Sequence, residues 1–402
     1  LQGMNYLFLL LLILSIPSVE SPKFIFWGLF IVSSLFSSRH TFRNILQDWD
    51  LLDSMIVVWM VSGLVVAYFA GIHHKEWGGA TDTIIFTSVL LTLRHRYFSD
   101  EQLSFIYYTI VLSTLIASLL AIWQLYNLDN KEFLEFHSVG HVNHTAIYLA
   151  LSLGVITAII YARWRNLGRG ERLFHLLIYT TIALSLVLTD SRAAIVAMIL
   201  VLLCCLLLFR KYLSLSFTLL AIFVALIIGN YAVNRGGVIE KQLDQLERGI
   251  FFEARADIWR SAVLTWQQYP LFGVGIKNYD RVTLEQLMQW CAQARTDCSE
   301  DNFMPYAHGH NLYLNTLAER GAFGFLVLMI NILALSYLVY KYRPGSKDNE
   351  QYRMIWIGAF ATILLNLSIG VFNTTLHHEH AMLSATLLGL LLGRIHRTTT
   401  GR

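Results

Sequence analysis

His308-Gly-His-Asn-Leu-Tyr-Leu-Asn-Thr-Leu-Ala-Glu-Arg-Gly-Ala-Phe-Gly324 closes the longest polar stretch of this chain and runs straight into an apolar segment at 321–340. A water-exposed segment carrying two histidines and a carboxamide re-enters a bilayer at this junction. A base held at that boundary is within reach of water-soluble and lipid-anchored substrates alike. The arrangement suits a membrane enzyme better than a transport helix.

Outward from the junction the chain is apolar almost throughout. Hydrophobic residues make up 55% and charged residues 14% of 402, with mean hydropathy +0.52, which excludes a soluble class. A membrane span needs ~20 mostly apolar residues. Twelve such segments stand at about 4–20, 23–38, 51–71, 77–94, 102–126, 144–162, 173–189, 191–209, 213–233, 321–340, 354–373 and 378–393. Leu1–Gly3 precede Met4 and are set aside, and the first segment is taken as a retained helix. The expectation is an all-α polytopic membrane protein of about twelve transmembrane helices. It divides into a bundle of about nine helices at 4–233, an inserted helical lid at 234–320, and C-terminal helices with a tail at 321–402.

Lysine and arginine orient it. With the N-terminus in the cytoplasm, seventeen basic residues fall on the cytoplasmic side, among them Arg39, Arg43, Arg163, Arg169, Arg353 and Arg394. The short opposite turns carry four, Lys23, Lys75, Lys131 and Arg192, and positive charge selects the cytoplasmic face. The net charge of +3 then reflects topology and contact with anionic lipid, not nucleic acid. The long segment falls outside the cytoplasm, with ten of the fourteen histidines at the same face: His73, His74, His137, His141, His144, His308, His310, His377, His378 and His380. Histidines gathered on one side suggest a site there, although an interfacial preference would do the same. Cys291 and Cys298 lie in that segment, where an oxidising compartment favours a disulfide; Cys204 and Cys205 sit in a span and are taken as inert.

The inserted segment is patterned. Glu240–Arg248 reads as a short helix, and Arg255–Trp266 as a stronger amphipathic one with Ile258, Ala262 and Trp266 at helical spacing, ended by Pro270. A glycine-rich turn at 270–279 and a helix at 281–291 follow. Eight basic residues face ten acidic ones over 234–310, so the segment is either a solvated cover or half of an active site.

The chemistry-bearing residues each carry a plainer reading as well. His310 titrates near neutral pH and suits a general base, with His308 beside it; Asn311 either fixes its tautomer or simply caps the next helix. Arg192, in Thr189-Asp-Ser-Arg-Ala-Ala194, either pairs with Asp190 or binds phosphate. Arg255 and Arg260 are outer-face cations that a lipid diphosphate needs, or merely a solvated helix face. Glu319 pairs or caps with Arg320, or orients a histidine, and His141, Asn143 and His144 stand at the entrance to a span. His377-His-Glu-His380 invites a metal with Glu379 and a distant His308 or His310. No HExxH motif accompanies it, so no metal and no cofactor is expected.

His310-Asn311, nine residues, Gly321, two residues and Gly324 resemble the signature of bacterial O-antigen ligases, whose superfamily includes O-antigen polymerases and O-linked oligosaccharyltransferases. Thr189–Ala194 resembles that superfamily's Ser-Arg element. Arg255-x-x-x-Trp259 with Pro270–Gly275 resembles its periplasmic-loop element, and Gly140-His-Val-Asn143-His its entry to a central helix. The resemblance implies a metal-independent, inverting, C-type glycosyltransferase in the bacterial inner membrane, its site facing the periplasm. It implies an undecaprenyl diphosphate-linked O-antigen donor and a lipid A-core acceptor. Carried over, His310 is the general base and Arg192 and Arg255 hold the diphosphate, with His308, Asn311, Glu319, Asn143 and Arg260 in support. Arg320 departs from an apolar position, and the His377–His380 cluster has no counterpart. A polymerase shares every motif, and an oligosaccharyltransferase would need an acceptor-peptide domain. A transporter or flippase explains the helices without the lid, and a scaffold would not depend on His310.

Overall fold

The computed structural model describes residues 2–36, 48–128, 132–234, 253–294, 298–345 and 349–400. The helix expected over Glu240–Arg248 lies outside them, as do Arg39, Arg43, Lys131, Arg235, Lys241, Arg295, Lys347 and Arg402. Among the described residues the regular structure is helical, with no strand. The α-helices run α1 Gln2–Ser15, α2 Glu20–Phe36, α3 Leu51–Tyr68, α4 Glu76–Arg94, α5 Asp100–Asn127, α6 Val142–Arg163 and α7 Arg169–Leu188. They continue as α8 Arg192–Leu208, α9 Leu213–Asn234, α10 Glu253–Gln268, α11 Leu284–Ala294, α12 Leu312–Lys341, α13 Glu350–Gly370 and α14 His378–Thr400.

Each of the twelve apolar segments coincides with one of these helices. Seven (α3, α5, α6, α7, α9, α12 and α13) are long and apolar enough to cross a membrane, and α1 and α8 are shorter apolar helices. The chain is a polytopic all-α membrane protein. The closely spaced pair at 173–189 and 191–209 is two helices, parted where Asp190 takes a left-handed φ of 56°.

A helix apolar on every side belongs in the interior. That helix is α6, whose apolar window is buried throughout, whereas only 22% of the apolar window of α9 is buried. Close packing and local polar pairing let α6 sit there. Gly154 faces α13 so closely that a Cβ would lie 3.0 Å from the Ala361 methyl. Its Ser152 hydroxyl accepts from Thr114 of α5 at 2.9 Å.

The helix that carries the apolar segment 321–340 starts at Leu312, behind Asn311, and is broken at Gly321 (φ 61°, ψ −168°). The segment Pro270–Gly275 passes through the break and completes its hydrogen bonding. Val274 and Gly275 donate to the freed carbonyls of Ala318 and Glu319, both at 2.9 Å; Ala322 and Phe323 donate back to Pro270 at 2.8 Å and Leu271 at 3.1 Å. On its other edge the segment accepts from Gly71 and Ile72. Gly273 (φ +68°) and Gly321 are required where these backbones cross, because a Cβ on Gly273 would meet Glu319 at 2.4 Å. Arg320, the departure noted in sequence, fits for the same reason: Gly324 leaves room for its stem, and its guanidinium donates to Thr83 at 2.9 Å.

Candidate functional site

His310 sits in the turn that feeds α12, at a left-handed φ of 43°. Asn311 is the N-cap: its side-chain oxygen accepts from the amides of Tyr313 at 2.9 Å and Leu314 at 3.0 Å. Its amide nitrogen donates to Val371 at 2.8 Å, so it does not orient His310. Asn373 acts on it instead, its side chain raising the pKa of the His310 ring. Asn373 was not picked out in sequence, where it only ends an apolar run. Its closeness in the chain to the histidine cluster was the available signal.

The rings of His308 and His310 lie 4.4 Å apart, with Tyr306 4.9 Å from His310. Burial holds His310 at about 4, the Arg255 cation and His141 push the same way, and the Asn373 side chain partly opposes them. Burial likewise depresses His308 to about 3, helped by His310 and its other histidine neighbours. Both imidazoles are therefore neutral at physiological pH, with a lone pair available to accept a proton.

Arg255 acts on His310, and Arg192 on Arg255. Arg255, in the first turn of α10, has its guanidinium 5.8 Å from the Phe372 ring. Burial and the nearby Arg192 cation both lower its pKa. Arg192 opens α8, and the preceding Ser191 donates to Asn143 of α6 at 3.4 Å, so Asn143 fixes the turn that presents Arg192. His310, Arg255 and Arg192 thus form one electrostatic neighbourhood. Arg260 does not join it; it is exposed and ion-paired with Asp257 at 2.8 Å. Glu319 is buried and accepts from the Lys277 amide at 3.1 Å, so it fixes the crossing segment and orients no histidine.

On the far side of His308 lies a cavity of about 340 Å³. Its wall includes Lys75, Asp82, Lys277, Asp280, His144 and His308, and excludes His310, Arg192 and Arg255. Lys277 pairs with Asp82 at 2.5 Å, and Lys75 with Asp280 at 2.9 Å. Buried Asn278 ties this wall to the turn before α4, accepting from Lys75 at 2.7 Å and donating to Glu76 at 2.9 Å. Cys291 and Cys298 are disulfide-bonded at the end of α11. The metal set suggested in sequence is corrected: Glu379 is ion-paired with Lys23, and the third imidazole beside His377 and His380 is His144, not His308 or His310.

All five non-glycine residues with positive φ among those described (Asp190, Lys277, His310, Leu376 and His378) border this region. Such conformations cost on the order of 1–3 kcal/mol each and persist where the surroundings over-determine them, as at functional sites.

A family model described as O-antigen ligase matches residues 176–329. Over 95 residues the chain is 30% identical to a Haemophilus influenzae protein described as uncharacterized, covering 24% of this chain and 22% of that one. The alignment thus spans less than a quarter of that relative's length. The family match takes in the start of α8 with Arg192, α10 with Arg255, and the whole run from His308 to Gly324 through the broken helix, so over this part the chain is similar to O-antigen ligases.

Proposed function

We propose that the chain is an O-antigen ligase of the bacterial inner membrane. It moves O-antigen from undecaprenyl diphosphate to a sugar hydroxyl of lipid A-core. In this reading all twelve apolar helices cross the bilayer, and the segment 234–320 is a periplasmic lid between the 4–233 bundle and the 321–402 helices. One observation carries it: a half-buried neutral histidine, His310, stands in the field of Arg255, which in turn neighbours Arg192.

The reaction follows from that order. The diphosphate lies against Arg192 and Arg255, whose guanidinium groups match phosphate oxygens in bidentate geometry. The acceptor enters from the cavity beside His308, whose alternating charges suit sugar hydroxyls. His310 takes the hydroxyl proton as the acceptor oxygen bonds to the anomeric carbon. The bond from that carbon to the phosphate oxygen breaks, and its electron pair leaves with the diphosphate. Attack opposite the leaving group inverts the centre. The two cations stabilise the charge that grows on the diphosphate in the transition state. His308, Asn311, Glu319 and Asn143 hold this frame.

The test is transfer in vitro with purified protein, undecaprenyl diphosphate-linked glycan and lipid A-core. A folded His310→Ala protein is expected to lose ~10²–10⁴-fold in rate. Arg255→Ala is expected to lower kcat as well as raise KM, since its contact strengthens in the transition state. Glycan lengthened on undecaprenyl diphosphate, with nothing on lipid A-core, would make the chain a polymerase instead. An active His310→Ala protein would remove this histidine as the base.

A further inference from the structure

Three imidazoles meet beneath the His308–His310 pair without taking part in the scheme above. His144 lies in the first turn of α6, His377 precedes α14, and His380 is in its first turn. One ring nitrogen from each lies within 4.8 Å of the other two. Ring centroids are 4.6 Å apart for His144 and His377, 4.9 Å for His377 and His380, and 5.5 Å for His144 and His380.

His144 and His380 are buried and His377 is half-buried, yet the buried Nδ1 of His144, Nε2 of His377 and both ring nitrogens of His380 have no hydrogen-bond partner. Buried polar atoms are nearly always paired, so four such nitrogens in one cluster call for a shared partner. An acidic side chain is not that partner, because the adjacent Glu379 is engaged by Lys23, itself buried. Leu376 and His378, on either side of His377, both hold left-handed φ values (61° and 52°). The turn that presents His377 is thus held in a conformation that its sequence disfavours.

We propose that His144, His377 and His380 bind one divalent transition-metal ion of the zinc class, with a fourth position open to the cavity. Zinc takes imidazole nitrogens at about 2.0–2.1 Å in tetrahedral geometry, which sets ligand nitrogens ~3.3 Å apart. From separations of at most 4.8 Å, the rings need to close by no more than about 1.5 Å. His144 and His377 also line the cavity wall, so the open position faces the cavity and takes water. The ion ties the start of α6 to the start of α14. It thereby anchors the 371–377 turn that carries Asn373 to His310.

The measurement is the metal content of tag-free full-length protein in detergent. It is followed by stripping with a chelator and titration with cobalt(II), which absorbs strongly in the visible when low-coordinate. The expected result is about one ion per chain, saturable at one site. His144→Ala, His377→Ala and His380→Ala should each fall below about a tenth of that content, while the exposed His137→Ala retains it. A folded His380→Ala protein with full metal content would overturn the proposal. If the three variants do not fold, the wild-type titration decides alone, and no saturable cobalt band rejects the site. Metal content is independent of transfer: a metal-free chain that transfers glycan sinks only this inference, and an inactive chain that binds one ion sinks only the ligase reading.

Discussion

Gly321→Ala tests the join between fold and site. The residue holds φ 61° and ψ −168°, a region that essentially only glycine occupies, and an alanine there costs about 1–3 kcal/mol in backbone strain. Its Cβ would lie 2.3 Å from the carbonyl carbon and oxygen of Leu271 and 2.4 Å from the Phe272 nitrogen. Those are backbone atoms, so no rotamer relieves the overlap. The crossing segment must move, and the bonds from Ala322 to Pro270 and from Phe323 to Leu271 are lost, at ~1 kcal/mol each. The sum is about 3–5 kcal/mol, expected as a fall of roughly 4–6 °C in the melting midpoint followed by tryptophan fluorescence in detergent. Gly229→Ala is the comparison, because a Cβ there meets nothing within 4 Å, and its midpoint should not fall. The crossing segment continues directly from α10, so the same displacement shifts Arg255 relative to His310 and transfer should drop in parallel. A Gly321→Ala protein that melts and transfers like wild type would refute the crossing.

Two further outcomes follow from buried charge. If neutral His310 is the base, kcat/KM should stay level from pH 8 down to about 5, then fall as the imidazole gains its proton near its value of about 4. Donor diphosphate beside Arg255 offsets that cation, so the limb in kcat should stand at higher pH; a kcat/KM limb at ~6.5 would show an ordinary solvated imidazole. Lys23→Met strands the buried carboxylate of Glu379 and should cost ~3–5 kcal/mol, whereas adding Glu379→Gln should restore most of it. Equal melting of single variant and wild type would mean that the pair is solvated.

The chain itself determined the helices. Length and continuity of apolar residues decide which segments can be buried without stranding backbone polar groups, and all twelve were legible, including the pair parted only at Asp190 and Ser191. His310, Arg192 and Arg255 were legible as residue types at a polar boundary, because charge and imidazole are costly inside apolar segments. Their meeting was not, since Arg192, Arg255 and His310 come from three separated elements. Only the packing of α8, α10 and α12 sets their electrostatic coupling.

The same holds for roles settled by contacts distant in sequence. Glu379 stood between two histidines as a third ligand, but Lys23, 356 positions away, takes it. Asn311 stood beside His310, yet its side chain caps α12 and Asn373 acts on the ring instead. Pro270–Gly275 and Gly321–Gly324 were visible as two glycine motifs. That one threads a break in the helix carrying the other follows only from tertiary structure, because each leaves backbone donors and acceptors that the other alone satisfies.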